Sequence, residues 1–273
     1  MPNTPQGIDF YHTGYCRHPE CIACTGGSWR PASFPAMAAH IHAGGGMLFD
    51  TGYASHFKTA TARFPEKFYA LTTPVVFSQP SLKQQLGDNA RNVSRIFLSH
   101  FHADHVAGLK DFPEIEIICS GKALSLLESG VSRFSRLRQG FLPQLLPDDF
   151  MRRVTIIEKF PQIRLPPDLR PFEYGYQVAN GIVAIELSGH AKGHYGIWAE
   201  NVLLIADAAW KMENINQNRL PHWISAFVMD SYRQFLETLK KLQELHSHNA
   251  DLMIVPSHCE KTLSSLWKSN ESI

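Results

Sequence analysis

The most informative segment of the chain is Ser99-His100-Phe101-His102-Ala103-Asp104-His105, which directly follows an aliphatic run. Three imidazoles and one carboxylate within six residues are too dense for histidines that merely pack in a core. Because alternate residues of an extended chain point the same way, His100 and His102 can face one metal ion together. A turn and the start of a helix then carry Asp104 and His105 to a second position nearby. Such ligands suit zinc, iron or manganese, and the lack of a neighbouring cysteine argues against a closed structural zinc site.

Short aliphatic runs typical of buried strands recur along the chain. They are Met47-Leu48-Phe49, Val93–Leu98, Ile115–Cys119, Ile182–Leu187, Val202–Ala206 and Leu252–Val255. Amphipathic helical patterns lie between these runs. The clearest spans Ser231 to His246, where Ser231 and Gln234 predict a capping box at the helix start. This alternation of buried strands and amphipathic helices predicts a layered α/β protein.

Four further strands are each followed at once by a residue that can bind a metal. These residues are Asp50, His190, Asp207 and His258. A single histidine after a strand is more often a structural residue than a ligand. In α/β sheets, however, the ends of neighbouring strands gather in one place, so all five points can converge. Together they predict a metal centre.

These motifs, in this order, resemble those of the metallo-β-lactamase superfamily of metal-dependent hydrolases, from about Phe49 to His258. The resemblance implies a four-layer αββα sandwich with a site at one edge. It also implies two divalent metal ions, with zinc preferred and iron or manganese as alternatives. The implied ligands are His100, His102 and His190 for the first ion, Asp104, His105 and His258 for the second, and Asp207 as the bridge between them.

The resemblance implies a hydrolase in which a metal-bound hydroxide attacks an ester-type bond, while Asp104 or Asp207 passes a proton to the leaving group. Asp50, in an Asp-Thr-Gly turn typical of the family, is expected to orient the ligands. His194, four residues after His190, is expected to pack beside them rather than to bind metal. Four residues are candidates for lining a substrate pocket, with core packing as the alternative for each: Tyr195, Trp210, Phe141 and Leu142.

Within the superfamily, the chain resembles the N-acyl homoserine lactonase group in length, in the bridging Asp207 and in ending soon after His258. Those enzymes tend to place a tyrosine three residues after the bridging aspartate, where this chain has Trp210. The interpretation favoured is a lactone substrate with an apolar acyl part. A thioesterase, a phosphodiesterase and a non-hydrolytic member that uses iron and oxygen or binds a partner remain alternatives.

Length and composition favour one domain over residues 1–273. The chain is 44% apolar and 19% charged, as in soluble globular proteins, and no linker interrupts it. A segment at about 130–171, rich in Arg, Phe, Leu and Pro, is predicted as an insertion with short helices. This insertion would either cover the site or lie at the periphery of the domain, away from the site. It is also the segment where a homodimer contact is most expected.

Charge and hydropathy limit the expected partners and location. The 26 Lys and Arg residues against 25 Asp and Glu give a net charge of +1, which argues against a nucleic-acid partner. No apolar run approaches the roughly 20 residues of a membrane span, and the N-terminus does not resemble a signal peptide. We therefore expect a cytoplasmic protein that acts on a small molecule and has no membrane partner.

Three cysteines, Cys16, Cys21 and Cys24, crowd near the N-terminus with His18 between them. A separate zinc knuckle is one interpretation of this group. Reduced thiols in a loop are the interpretation that the irregular spacing favours.

Overall fold

The computed structural model describes residues 7–267, whose strands form two sheets. The strands of the first sheet are β1 (Ile8–Pro19), β2 (Pro31–Ile41), β3 (Met47–Phe49), β4 (Val75–Val76), β5 (Arg95–Phe97), β6 (Glu116–Cys119) and β7 (Val154–Ile156). Those of the second are β8 (Gln162–Arg164), β9 (Tyr174–Ala179), β10 (Ile182–Glu186), β11 (Tyr195–Ala199), β12 (Val202–Ala206) and β13 (Met253–Pro256). The strand orders are β4-β1-β2-β3-β5-β6-β7 and β13-β12-β11-β10-β9-β8.

Most of the helices are single turns between strands. The α-helices of residues 7–267 are α1 (Glu20–Ala23), α2 (His56–Ala60), α3 (Lys67–Thr72), α4 (Leu82–Leu86), α5 (Ala103–Val106), α6 (Gly121–Leu124), α7 (Arg133–Arg138), α8 (Phe150–Arg153), α9 (Met212–Asn216), α10 (Tyr232–His248) and α11 (Glu260–Leu263). Among them, α10 is the long one, with 17 residues. No helix within residues 7–267 is both long and apolar enough to cross a bilayer.

Three clusters of buried side chains show how these elements are layered. Successive residues of a strand point to opposite faces, so Phe49 points into the space between the sheets, where it shares a cluster with Leu204. Its neighbour Leu48 points outward, into the cluster formed with helices α2, α4, α5 and α8. On the far side, Phe235 and Leu239 of α10 cover the second sheet. Three apolar layers separate four layers of structure, which confirms the expected αββα sandwich.

The six predicted strands are all present, with ends that shift by at most two residues. The predicted helix is α10, and Ser231 Oγ accepts a hydrogen bond from the Gln234 backbone N–H at 3.4 Å, one half of the predicted capping box. The sequence did not reveal the long hairpin of β1 and β2, because both strands mix polar and apolar residues without a regular alternation.

The segment 130–171 combines short helices with strands of both sheets. Helices α7 and α8 match the expectation, but β7 extends the first sheet beside β6 and β8 extends the second beside β9. The later part of this segment therefore belongs to the sandwich and joins its two sheets.

The cysteine group near the N-terminus lies in β1, in α1 and directly after α1. Cys16, Cys21 and Cys24 are buried free thiols. Within residues 7–267, none of them belongs to a group of side chains placed to hold a metal ion.

Candidate metal centre

The carboxyl ends of five strands meet at one edge of the sandwich. Strands β3 and β5 are parallel, and so are β12 and β13. Strand β10 runs in the same direction as β12, because the antiparallel β11 lies between them. A backbone hydrogen bond of 2.9 Å from Tyr195 N–H to Ser99 O joins the two sheets at this edge. The residues that follow these strands are thereby brought together.

Seven side chains at this edge form two groups that share Asp207. The groups are His100, His102, His190 and Asp207, and Asp104, His105, His258 and Asp207. In each group, one potential ligand atom from every residue lies within 4.8 Å of the others. His102 borders the surface, and the other six residues are buried. This division is the one that the family resemblance implies.

Asp207 lies between three imidazoles and uses both carboxylate oxygens. Its Oδ2 is 3.1 Å from His190 Nε2 and 3.1 Å from His258 Nε2, while Oδ1 is 3.3 Å from His105 Nε2. Asp104 Oδ2 lies 3.2 Å from His258 Nε2. Asp207 thus contacts histidines of both groups, whereas Asp104 belongs to the second group alone.

Several atoms of the centre are buried and have no hydrogen-bond partner within residues 7–267. They include His100 Nε2 and His190 Nδ1. Buried polar atoms are nearly always paired in proteins, so these atoms are available to a ligand. Imidazole nitrogen and carboxylate oxygen are donors that zinc, iron and manganese accept. The residues present therefore fit divalent transition-metal ions.

Asp50 holds His105 in one orientation. Asp50 Oδ2 is 2.7 Å from His105 Nδ1, and the same carboxylate accepts hydrogen bonds from Ser99 N–H at 2.8 Å and Ser99 Oγ at 2.7 Å. Its backbone is left-handed, with φ of 58°, so the chain turns sharply as it leaves β3. With Nδ1–H donated to Asp50, His105 Nε2 is left to face Asp104 and Asp207.

His100 and His258 are oriented by similar contacts. Since the Ser99 hydroxyl donates to Asp50, it accepts from His100 Nδ1–H at 2.9 Å. His258 Nδ1 donates to the carbonyl oxygen of Pro35 at 2.6 Å. The role of Pro35 was not predicted from the sequence, because a backbone carbonyl carries no side-chain signal and strand β2 was not recognised.

The charges of the centre suit a cation. Burial lowers the pKa of His100 well below its usual value and lowers that of His102 to about 3, so both imidazoles are neutral. Burial alone would raise the pKa values of Asp104 and Asp207, but His105 and His258 outweigh it and lower both. Neutral imidazoles and ionised carboxylates are the forms that bind metal.

His105 and His258 are the positively charged side chains of the centre. Burial alone would lower the pKa of His258, but Asp207 and Asp104 raise it to about 10. The carboxylates of Asp104, Asp50 and Asp207 likewise raise the pKa of His105 well above its usual value despite burial. A bound cation would displace these protons, because it would neutralise the same carboxylates.

His194 lies behind the first group and belongs to neither group. Its ring centroid is 4.9 Å from that of His100 and 5.8 Å from that of His190. The side chain is fully buried, and neither ring nitrogen has a hydrogen-bond partner among the described residues.

Three of the four candidates for a substrate pocket are packed in the interior instead. Tyr195 is 1% exposed in the layer between the sheets, with its hydroxyl 3.4 Å from Glu158 Oε1. Phe141 and Leu142 are buried in the cluster over the first sheet. Core packing, the alternative that the sequence offers for each of them, buries their large apolar surfaces. Trp210 differs, because it is partly exposed and its ring stands perpendicular to that of His190 at 5.8 Å.

A small opening leads to the centre beside His102 and His190. The other residues that line it are Phe101, Leu126, Gln139, Ala191, Lys192, Val228 and Asp230. Gln139 comes from the segment 130–171, and the chain at Gly140 passes directly over His102. A Cβ atom at Gly140 would lie 2.6 Å from His102 Cδ2, so this approach requires glycine. The segment therefore contacts the centre.

Comparison with known proteins gives a family match that spans the centre. The family model described as the metallo-beta-lactamase superfamily matches residues 38–258. Two curated relatives are the probable metallo-hydrolases Rv2300c of Mycobacterium tuberculosis (strain ATCC 25618 / H37Rv) and Mb2322c of Mycobacterium bovis (strain ATCC BAA-935 / AF2122/97). Each is 24% identical over 231 residues, which covers 78% of this chain and 70% of the relative.

Solved structures of similar fold include lactonases. An N-acyl homoserine lactone hydrolase with the product N-hexanoyl-L-homoserine at its catalytic metal centre has a TM-score of 0.71 and 18% identity, covering 97% of this chain and 98% of its own. AidC, a dizinc quorum-quenching lactonase in complex with a product, has a TM-score of 0.62 and 14% identity, covering 92% and 87%. At these identities the likeness shows the fold.

Proposed function

This chain belongs to the metallo-β-lactamase superfamily and is a metal-dependent hydrolase, and we propose that it uses two metal ions to cleave an ester-type bond. The observation that carries the proposal is the position of Asp207, whose two oxygens lie 3.1–3.3 Å from histidines of both groups. A carboxylate shared in this way is suited to bridging two cations.

The two groups divide the ligands between the ions. In this proposal the first ion would be held by His100, His102 and His190, the second by Asp104, His105 and His258, and Asp207 would be shared between them. Bound divalent ions supply Lewis-acid chemistry, since they acidify water and polarise a carbonyl oxygen. Zinc is the ion we propose, because AidC is described as a dizinc enzyme.

The protein's own contribution is to hold the ligands still and to move a proton. Asp50, Ser99 and the Pro35 carbonyl fix the rings of His105, His100 and His258, so each presents one nitrogen to the centre. We assign to Asp104 or Asp207 the proton that passes from the attacking water to the leaving group. Both carboxylates are ionised at neutral pH, so either can first accept this proton and then return it.

We propose a lactone with an apolar acyl part as the substrate class. The opening beside His190 continues into an exposed apolar segment, where Trp223 is 62%, Phe227 66% and Val228 49% exposed. Large apolar side chains grouped on a surface mark binding sites. Trp210, which stands beside His190, has no hydroxyl to offer a substrate carbonyl, so its indole would pack against the substrate.

We also propose that the segment 130–171 covers part of this opening. Gln139 lines the opening, and the chain at Gly140 lies against His102. A segment so placed can limit the access of water and shape the acyl site.

The test is a set of initial rates for the zinc-loaded protein. The panel holds acyl homoserine lactones of several chain lengths, acyl thioesters, aryl phosphodiesters and a cephalosporin. We expect lactones to be turned over fastest, a rate loss of at least about 1,000-fold for Asp104→Ala, and no loss for Asp111→Ala, an aspartate paired with His56 away from the centre.

Several outcomes would overturn parts of the proposal. An active Asp104→Ala variant would overturn the role given to Asp104 and the second group, and no turnover by protein that holds its metal would overturn the cleavage of an ester-type bond. Faster turnover of another class would replace the lactone. If the acyl chain packs on the exposed apolar segment, Phe227→Ala should raise KM relative to the wild type, and the increase should grow with acyl length. A change in KM that is the same for all acyl lengths would contradict the acyl site.

A further inference from the structure

A second set of ligand-type side chains lies on the outer face of the first sheet. Asp9 on β1 is the direct cross-strand partner of His40 on β2, and His42 follows two positions after His40. Cross-strand partners and alternate residues share a face of a sheet. Phe10 and Ala39, which are next to Asp9 and His40 in their strands, point into the layer between the sheets. The register therefore places one carboxylate and two imidazoles together on the outside.

The three side chains approach one another closely. His42 Nε2 is 3.0 Å from Asp9 Oδ2, and the ring centroids of His40 and His42 are 4.6 Å apart. One potential ligand atom from each of the three lies within 4.8 Å of the other two. Ligands bonded tetrahedrally to zinc at about 2.0–2.2 Å are roughly 3.3–3.6 Å apart. Small side-chain rotations are therefore enough to bring these atoms onto one ion.

The burial of the group gives it a fixed anchor and an accessible side. His40 is 1% exposed, whereas the side chains of His42 and Asp9 are 46% and 20% exposed. The Tyr11 side chain lies next to Asp9. The Tyr11 hydroxyl and the Asp9 carboxylate are hydrogen-bonded. A neighbour of this kind orients a ligating carboxylate.

An open groove of about 430 Å³ adjoins the group. Besides the two histidines, it is lined by Gly45, Gly46, Arg91, Asn92, Val93 and Ser94. An ion held by three side chains would keep a coordination position free towards this groove, as in zinc sites that exchange ligands. Arg91 at the groove would favour an anion at that position.

This group is separate from the hydrolytic centre. His40 pairs with Leu48, the middle residue of β3, and Ile41 pairs with Met47, its first residue, so His42 follows beyond the start of the strand, whereas the centre begins at Asp50, after the strand ends. The two sets share no residue. A substitution at Asp9 or His42 therefore removes no ligand-type side chain of the hydrolytic centre.

We propose that Asp9, His40 and His42 form a mononuclear site for a divalent transition-metal ion, with zinc as the ion to test first. Two histidines and one carboxylate suit Zn²⁺ and also Fe²⁺. The site takes its metal independently of the hydrolytic centre, and its open position faces the groove at Arg91.

The test compares the zinc content of full-length variants after equilibration with micromolar zinc and gel filtration. We expect His42→Gln to hold one zinc fewer per chain than the wild type, and Asp9→Asn to do the same. The matched control is His56→Gln, because His56 Nε2 forms a similar 2.8 Å pair with Asp111, partly exposed, with no third ligand among the described residues. The control should retain the wild-type zinc content. A zinc-edge anomalous map should show a peak between the three side chains of the wild type.

Equal zinc contents in all variants, or zinc uptake at this site only at millimolar concentration, would overturn the proposal. His42 is half-exposed, so circular dichroism should show His42→Gln to be folded. Because the readout is the difference between the wild type and His42→Gln, it stays at one ion whatever the hydrolytic centre holds. Turnover of the substrate panel by His42→Gln should match the wild type, so failure of either proposal is recognised separately.

Discussion

Asp50 orients histidines of both groups of the candidate centre. Its carboxylate is fully buried and makes three hydrogen bonds of 2.7–2.8 Å to His105 and Ser99. Through Ser99 it also sets the ring of His100. A single carboxylate thus orients one histidine of each group.

We predict that Asp50→Asn lowers zinc affinity by about 10- to 100-fold, the usual effect of losing a partner that orients a metal ligand. The amide keeps the shape and can still accept from Ser99 N–H, so the fold should persist. Competition with a chromogenic chelator measures the change. Asp111→Asn, which removes a similar partner from His56, is the control. Unchanged zinc affinity in Asp50→Asn would show that His105 is held by packing alone.

At the scale of elements, helix α10 determines where His190 lies. The two residues that precede α10 pack against the loop that carries this histidine. Asp230 N–H donates to His190 O at 3.1 Å, and Ser231 N–H donates to Gly189 O at 2.9 Å. A Cβ atom at Gly189 would lie 2.0 Å from the backbone nitrogen of Phe235. The helix and the loop can therefore pack this closely only with glycine at this position.

We predict that Gly189→Ala destabilises the fold by about 2–4 kcal/mol, from overpacking together with a left-handed backbone at φ of 123°. The zinc held by the first group should be lost as His190 moves. Urea unfolding and zinc content measure the two effects. Gly181→Ala is the matched control, because its φ is 73° and no atom lies within 4 Å of the added Cβ. Equal losses in both variants would assign the effect to backbone conformation and not to the α10 contact.

The start of α7 is tied to α3 by an ion pair between Arg133 and Glu66. The guanidinium donates three hydrogen bonds of 2.8–3.1 Å to a carboxylate that is 7% exposed. Burial alone would raise the pKa of Glu66, but Arg133 outweighs it and holds the pKa below its usual value. A lowered pKa in the folded state contributes stability above the unfolded pKa of about 4.3 and loses it as the pH falls.

We predict that Arg133→Met lowers the stability of the protein at pH 7 and that the difference from the wild type shrinks as the pH falls below about 4. Urea midpoints between pH 3 and pH 7 test this. Arg233→Met is the control, since the pair of Arg233 with Glu237 is 89% and 57% exposed and should contribute little. A difference that does not depend on pH would point to lost packing of the arginine stem.

At the scale of the whole molecule, the candidate centre lies between the two sheets and joins them. Residues from the first sheet (His100, Asp104) and from the second (Asp207, His258) meet there around buried carboxylates. In the proposed function, ions bound at this junction would hold the two halves of the sandwich together. Removal of the ions should therefore affect global stability.

We predict that a chelator lowers the melting temperature by roughly 10 °C or more. An ion at 1,000 times its Kd stabilises a fold by about 4 kcal/mol, and each kcal/mol corresponds to roughly 2–4 °C at this size. Differential scanning calorimetry with and without EDTA measures the shift. EDTA should lower the melting temperature of Asp207→Ala much less than that of the wild type. It should lower the melting temperature of His42→Gln almost as much as that of the wild type. An unchanged melting temperature on chelation of the wild type would argue that bound ions do not stabilise the sandwich.

The sequence by itself determined the strands that carry the site and the seven residues that follow them. Runs such as Val202–Ala206 are recognisable because buried strands need uninterrupted apolar residues, and histidines as dense as those after Leu98 indicate metal binding rather than packing. The family resemblance then implied both groups and their shared Asp207. Local pattern was sufficient here because strand ends and ligand types are encoded within a few residues.

The residues that surround the ligands, and those that stay in the core, are recognised only in the folded protein. The Pro35 carbonyl and the set of Asp9, His40 and His42 depend on the register of β1 and β2, which no local pattern encodes. Phe141 and Tyr195 were candidates for the pocket, yet they are buried, because apolar bulk alone does not say which buried layer a side chain enters. Cross-strand register and the pairing of layers arise from contacts between distant segments, so they are settled only when the whole sandwich packs.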